Sequence, residues 1–192
     1  MKKIFAFVLI TLSFSGLKAQ DSEIQTLFSG NIRISGFGGP AMSFTTMRGE
    51  FAHMMGGGGA VLLGDFFIGG YGEGLTNGIS VGGNRLDFGH GGFWTGYSFM
   101  AARPLHPTIS AQIGWGSAGE RSQDYTYYTT DNVFVFKPAI ELEMNFTRFF
   151  RLSVGAHYRV VTGVNPELYS EPMSNSDLSG PGASLTFKFG WF

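Results

Sequence analysis

The sequence predicts an all-β fold, an eight-stranded antiparallel up-and-down transmembrane β-barrel, and three observations carry that reading. Apolar residues recur at every second position along segment after segment, the period of a half-buried strand. The apolar faces bear bulky aromatics, whereas the opposite faces bear small residues and a few charges of both signs. The chain is 16% aromatic but only 14% charged, too few charges for a soluble exterior and too many aromatics for disorder. Glycine, at 30 of 192 residues, interrupts almost every window in which a helix would form. Cysteine is absent, which excludes a disulfide scaffold, a thiolate zinc site and a cysteine nucleophile.

Residues 1–19 read as a secretory signal peptide. Lys2 and Lys3 form a basic start, residues 4–14 are apolar, and Gly16 and Ala19 are small residues before a cut. That apolar run is short of the roughly 20 residues a spanning helix needs. The expected organisation is therefore a signal peptide over 1–19 and a barrel domain over 20–192. Cleavage removes Lys2, Lys3 and Lys18 and no acid, so 13 basic residues become 10 against 14 acidic, a net charge of −4. No basic footprint remains for nucleic acid.

The first strand is expected over 31–45, with Ile32, Ile34, Met42 and Phe44 opposite Arg33 and Ser35. Glu50–Leu63 and Phe66–Leu75 follow, both rich in glycine. The fourth strand, 85–99, changes parity between Phe88 and Phe93, and a bulge at Gly91 and Gly92 would reconcile the two halves. Strands five to eight alternate cleanly over 108–116, 139–146, 151–161 and 183–191. In the seventh, Leu152, Val154, Ala156, Tyr158 and Val160 oppose Arg151, Ser153, Gly155, His157 and Arg159. Apart from the short first connection, 47–49, the odd-numbered connections are the long ones, among them 117–132 and 163–181. Short periplasmic turns and long outer loops have this asymmetry. Tyr125, Tyr127, Tyr128 and Tyr169 in those loops suit an interfacial girdle better than a binding surface.

Charges in a narrow lumen must pair. The expected lumen network joins Arg33, Arg85, Asp87, Glu141, Glu143, Arg159 and Lys188. The closing strand carries Phe187, Phe189, Trp191 and Phe192, an aromatic end that serves barrels as an assembly signal, although Phe192 falls one residue out of step. His53, His90, His106 and His157 are scattered without metal-ligand spacing, so no metal site and no cofactor are expected. His106 reads as a structural turn residue and His157 as a lumen hydrogen-bonder. The glycine runs 56–59 and 69–74 lack a phosphate-loop lysine and read as lumen-facing or bulge glycines.

Ser35 to Pro40, Met47 to Phe51, Phe67 to Gly72, Leu105 to Ile109 and Thr147 to Leu152 resemble an uncharacterised family of outer-membrane barrels from Bacteroidota-type bacteria. The resemblance spans most of the chain after the leader. It implies an OmpX/OmpA-like eight-stranded barrel and carries no activity and no functional residue.

The expected function is that of a non-enzymatic outer-membrane barrel with a plugged polar lumen and a structural or surface-interaction role. It would lie in the outer membrane of a Gram-negative bacterium after Sec-type export. Its partners would be outer-membrane lipid, the barrel-assembly machinery and an extracellular ligand met through loops 117–132 and 163–181. The alternative is a narrow small-solute or ion pore. A second alternative, a lipid A-modifying hydrolase or acyltransferase, lacks a nucleophile elbow and any close His–Ser spacing.

Overall fold

The computed structural model describes residues 33–122 and 128–192. The expected leader, residues 31 and 32 of the expected first strand, and Tyr125 and Tyr127 lie outside them. The strands are β1 (Ile34–Met47), β2 (Glu50–Leu63), β3 (Phe66–Leu75), β4 (Ser80–Val81), β5 (Asn84–Ser98), β6 (Leu105–Arg121), β7 (Tyr128–Asn145), β8 (Phe150–Thr162) and β9 (Gly180–Trp191). β4 is a two-residue hairpin arm on β5. The other eight pair antiparallel with their sequence neighbours, β3 with β5 across that arm, and β1 with β9 closes the barrel. Closure leaves no long edge strand unpaired.

Turn chemistry fixes several registers. Arg48 and Gly49 both take positive φ, 52° and 78°, as a tight two-residue hairpin requires. The β1–β9 ladder skips Gly39 and Pro40, and the β7–β8 ladder skips Lys137 and Pro138. In each gap a proline lacks the N–H that pairing needs. The expected bulge at Gly91 and Gly92 is absent. β5 pairs with β3 and β6 in unbroken register through both glycines. Leu86, Phe88 and Trp94 point inward while Phe93 and Tyr97 point outward, so the parity is uniform and large apolar residues occupy both faces. The glycine runs are not all lumen-facing either: in β2, Gly56 and Gly58 share the inward parity of Met54 and Ala60, whereas Gly57 and Gly59 face out.

Away from the loop rim the outward surface is mostly apolar. Phe149 and Phe150 meet Phe189 at ring distances of 6.3 and 5.1 Å, and Phe149 meets Trp191 at 5.8 Å, all at the rim of the short turns. Nearer the opposite rim, Trp115 and Phe134 meet edge-to-face at 5.7 Å, and Tyr158 is exposed. Phe150 and Tyr158 stand on one outward row of β8. At a rise of about 3.3 Å per residue and a tilt of about 40°, they are separated by roughly 20 Å along the barrel axis.

β6 and β7 are longer than expected. Their pairing continues through Ser117–Asn132, Gly119–Thr130 and Arg121–Tyr128, so residues 117–121 and 128–132 of the expected loop are strand. Outward residues in this extension, such as Ser117, Thr130 and Asn132, are polar, which hides a strand from a search for apolar alternation. The loop after β8 turns inward. It carries a 3-10 turn (Pro166–Leu168) and a one-turn helix, α1 (Asn175–Leu178).

Candidate functional site

The barrel interior gathers many of the ionisable side chains, because in strands six to eight of the closed ring the charged positions share the inward parity. From the short-turn rim toward the loop rim it falls into four parts.

At the short-turn rim an open cavity of about 600 Å³ is lined by Arg33, Asp65, Asn145, Arg148, Arg151 and Phe192 among others. Above it, Phe37, Phe67 and Trp94 pack edge-to-face at 5.4–5.5 Å. Glycines make room for these rings: a Cβ on Gly58 would come within 3.2 Å of Trp94, and one on Gly96 within 2.5 Å of Phe67. The Lys188 ammonium, 1% exposed, lies 5.1 Å from the Phe37 ring and 5.3 Å from those of Phe67 and Trp94. On its other side are Glu143 at 3.3 Å and Glu141 at 3.6 Å. Charge–charge and charge–ring attraction hold it, since neither carboxylate meets hydrogen-bond geometry. Glu143 also accepts from Ser98 and Thr108, and Glu141 from Ser110 and Ser153. Arg151 lies 4.0 Å from Glu143 and places its guanidinium 3.9 Å from the Phe192 ring.

Mid-lumen, Glu73 and Lys137 form a short buried ion pair. Ser43 donates to Glu73 at 3.0 Å and lies 3.3 Å from Lys137. His90 Nε2 is 3.2 Å from Glu73, and its Nδ1 lies 3.0 Å from the Tyr71 hydroxyl. A cavity of about 20 Å³ remains beside Glu73, Trp94, Gln112, Lys137 and His157. It is large enough for about one water.

Toward the loop rim the lumen turns apolar, with Met54, Ile79, Leu86, Phe88, Val133, Val135 and Val161 in one buried cluster. The loop after β8 adds Tyr169, Met173 and Leu178 to it. The Tyr169 hydroxyl donates to the Ala118 carbonyl at 3.3 Å, and burial raises its pKa above the usual phenol range. Ser170 donates to buried Glu120 through its backbone N–H at 2.8 Å and its hydroxyl at 2.5 Å. Arg48 pairs with Glu171 at 2.7 Å, which ties the same loop to the first hairpin.

The expected network is redistributed. Glu141, Glu143 and Lys188 come together. Arg159 is inside and fully buried, but among the described residues no carboxylate lies within ion-pair distance of it. Its Nε donates to the Leu178 carbonyl at 2.7 Å, and its other contacts are the Thr46 carbonyl, Met54 sulfur and Phe88 ring. Arg85 and Asp87 are not in the lumen: odd positions of β5 face outward, and Asp87 pairs there with Arg121. Arg33 precedes β1 and lines the mouth instead of the network. His157 does face the lumen, but neither ring nitrogen has a hydrogen-bond partner. Tyr169 is buried and so belongs to no girdle. Of the closing aromatics, Phe187, Phe189 and Trp191 share the outward row, and Phe192 turns inward to stack near Phe37 at 6.2 Å. A polar lumen was expected throughout. The apolar clusters at both ends correct that.

Sequence reasoning missed Glu73, Lys137, His90, Glu120 and the Arg151–Glu143 contact. The usable signal for Lys137 was parity, because Val133, Val135, Lys137, Glu141 and Glu143 run inward on one unbroken strand.

No protein family's sequence profile matches the chain, and no curated protein matches it. Solved structures do. Neisserial surface protein A superposes with a TM-score of 0.61 at 11% identity, over 84% of this chain and 99% of that one. The N-terminal β-barrel domain of Pseudomonas aeruginosa OprF gives 0.53 at 13%, over 84% and 100%. Ail, the attachment invasion locus protein of Yersinia pestis, gives 0.52 at 14%, over 83% and 97%. The fold is that of the small outer-membrane barrels. At such identities the likeness concerns the fold and no residue's role.

Proposed function

We propose that this chain is an outer-membrane barrel with a plugged lumen and a structural or surface-interaction role rather than a catalytic one. One observation carries the reading: away from the loop rim the outward side chains are predominantly apolar or aromatic, whereas Glu73, Glu141, Glu143, Lys137, Lys188, Arg151 and Arg159 are buried inside. A soluble barrel has the opposite polarity, whereas a lipid-facing one needs this arrangement. The roughly 20 Å between Phe150 and Tyr158 along the axis is comparable to the apolar band of about 25 Å on such barrels. In this reading the short turns face the periplasm and the loops face outside. Residues 1–19 act as a Sec-type leader in a Gram-negative cell, and Phe187, Phe189 and Trp191 present the assembly signal. The match of the quoted segments to Bacteroidota-type barrels is part of the same proposal.

Two packed layers support the plug: the ion-paired and aromatic middle, and the apolar cluster under the loop after β8. An outer ligand would meet a rim where Glu50, Glu167 and Glu171 are exposed and Arg48 is already paired. That rim differs in charge from what a polyanion needs, although Ail has been crystallised with the heparin analogue sucrose octasulfate. Conductance of the refolded full chain in planar bilayers tests the plug. Little stable current is expected. A steady, ion-selective current would promote the pore reading.

A further inference from the structure

The open cavity at the short-turn rim has a composition of its own. Its side chains include three arginines, Arg33, Arg148 and Arg151, against one acid, Asp65. Thr147 accepts from the Phe149 and Phe150 backbone N–H groups at 3.1 and 2.9 Å. That turn sets Arg148 at its tip and starts β8 so that Arg151 points inward. Arg33 and Arg148 form no ion pair among the described residues. Arg151 has a side chain 8% exposed, and its Nε has no hydrogen-bond partner. A buried, unmatched guanidinium N–H is costly unless an acceptor arrives.

Asn145 supplies the opposite need. Its amide nitrogen donates to the Ala101 and Arg103 carbonyls at 3.0 and 2.8 Å. That fixes the amide's orientation and leaves Oδ1 buried without a donor. The cavity, about 600 Å³, is of the size that encloses small ligands, and the Phe192 ring forms an apolar wall. Surplus cationic donors beside an unmatched acceptor complement a molecule that carries both carboxylates and N–H groups. We propose that this cavity binds a short, carboxylate-bearing peptide-like anion. The binding chemistry stands apart from the plug. Only its placement on the periplasmic side rests on the orientation proposed above.

The test uses the full chain refolded in zwitterionic micelles and titrated calorimetrically at low salt. The probes are acetyl-Glu-Glu, its uncharged amide counterpart acetyl-Gln-Gln-amide, and inorganic phosphate. Acetyl-Glu-Glu is expected to bind at least tenfold more tightly than either of the others, and to weaken as salt rises. Arg33→Gln and Arg148→Gln, both at exposed positions, should each weaken it several-fold without altering the folded barrel. Arg151→Gln should weaken it most, read only if its unfolding transition stays cooperative. No binding at 10 mM probe (on the order of the weakest specific affinities) overturns the proposal. So does equal binding of the neutral peptide, equal binding of phosphate, or indifference to both exposed substitutions. Bilayer conductance is unaffected by these results, so the plug and the site fail separately.

Discussion

Breaking the mid-lumen ion pair offers the sharpest check on how the interior is held. The Glu73 and Lys137 side chains are 4% and 6% exposed, so neither charge can turn to water. Removing one partner of a buried pair costs about 3–5 kcal/mol, because the other is left uncompensated. Lys137→Met leaves Glu73 with Ser43 at 3.0 Å and His90 at 3.2 Å, which places the loss near the lower end, about 3 kcal/mol. Glu73→Gln leaves the ammonium with Ser43 alone at 3.3 Å, which places it nearer about 5 kcal/mol. The double variant contains no buried charge at either position, and Gln still meets Ser43. It should recover most of the loss, with a coupling of at least about 3 kcal/mol. Reversible urea unfolding in lipid vesicles, followed by tryptophan fluorescence, measures all four corners. Single losses that simply add, within about 0.5 kcal/mol, would show that the pair is not coupled and that the lumen is wetter than its packing indicates.

Three further outcomes follow from named contacts. Val154, outward and 44% exposed, should lose about 2–4 kcal/mol as Val154→Arg and almost nothing as Val154→Leu; similar losses for both would place this row away from lipid. Gly96→Ala sets a Cβ 2.5 Å from Phe67 and 2.6 Å from the Ile109 carbonyl, so it should cost about 1–3 kcal/mol in the same unfolding assay, and a neutral result would contradict the tight packing. Asp177 accepts from the Ser174 backbone N–H at 2.7 Å and its hydroxyl at 2.8 Å, and the backbone bond foremost holds its pKa below the usual carboxylate range. Its stabilisation is therefore complete above roughly pH 4 and lost as the pH falls through the lower folded value. Limited proteolysis of residues 163–179 should be faster in Asp177→Asn than in the parent at pH 7, with the gap closing in acid; a gap that widens in acid would reverse the sign.

Sequence alone determined the strand count, the all-β class and the inward or outward side of strands six to eight. Period-two alternation encodes a face directly, and no tertiary partner is needed to read Val154 against Ser153 or Ile140 against Glu141. β2 and β3 were placed to the residue because glycine and turn residues bracket them. Local pattern failed where both faces are alike. Large apolar residues inside and outside β5 imitated a bulge, and polar residues outside the β6–β7 extension imitated a loop. Which charges meet was decided only by closure of the ring. Barrel stagger brings Lys137 of β7 across to Glu73 of β3, 64 positions away in the chain, while reasoning from neighbouring strands grouped Lys188 with Glu141 and Glu143 and set Arg159 beside them. The fate of Arg159 depended on a loop that folds back over the mouth and brings the Leu178 carbonyl to its guanidinium. Parity is a property of a single strand and is written in its residues. The meeting of side chains across a lumen depends on shear, tilt and loop packing, which belong to the closed barrel as a whole.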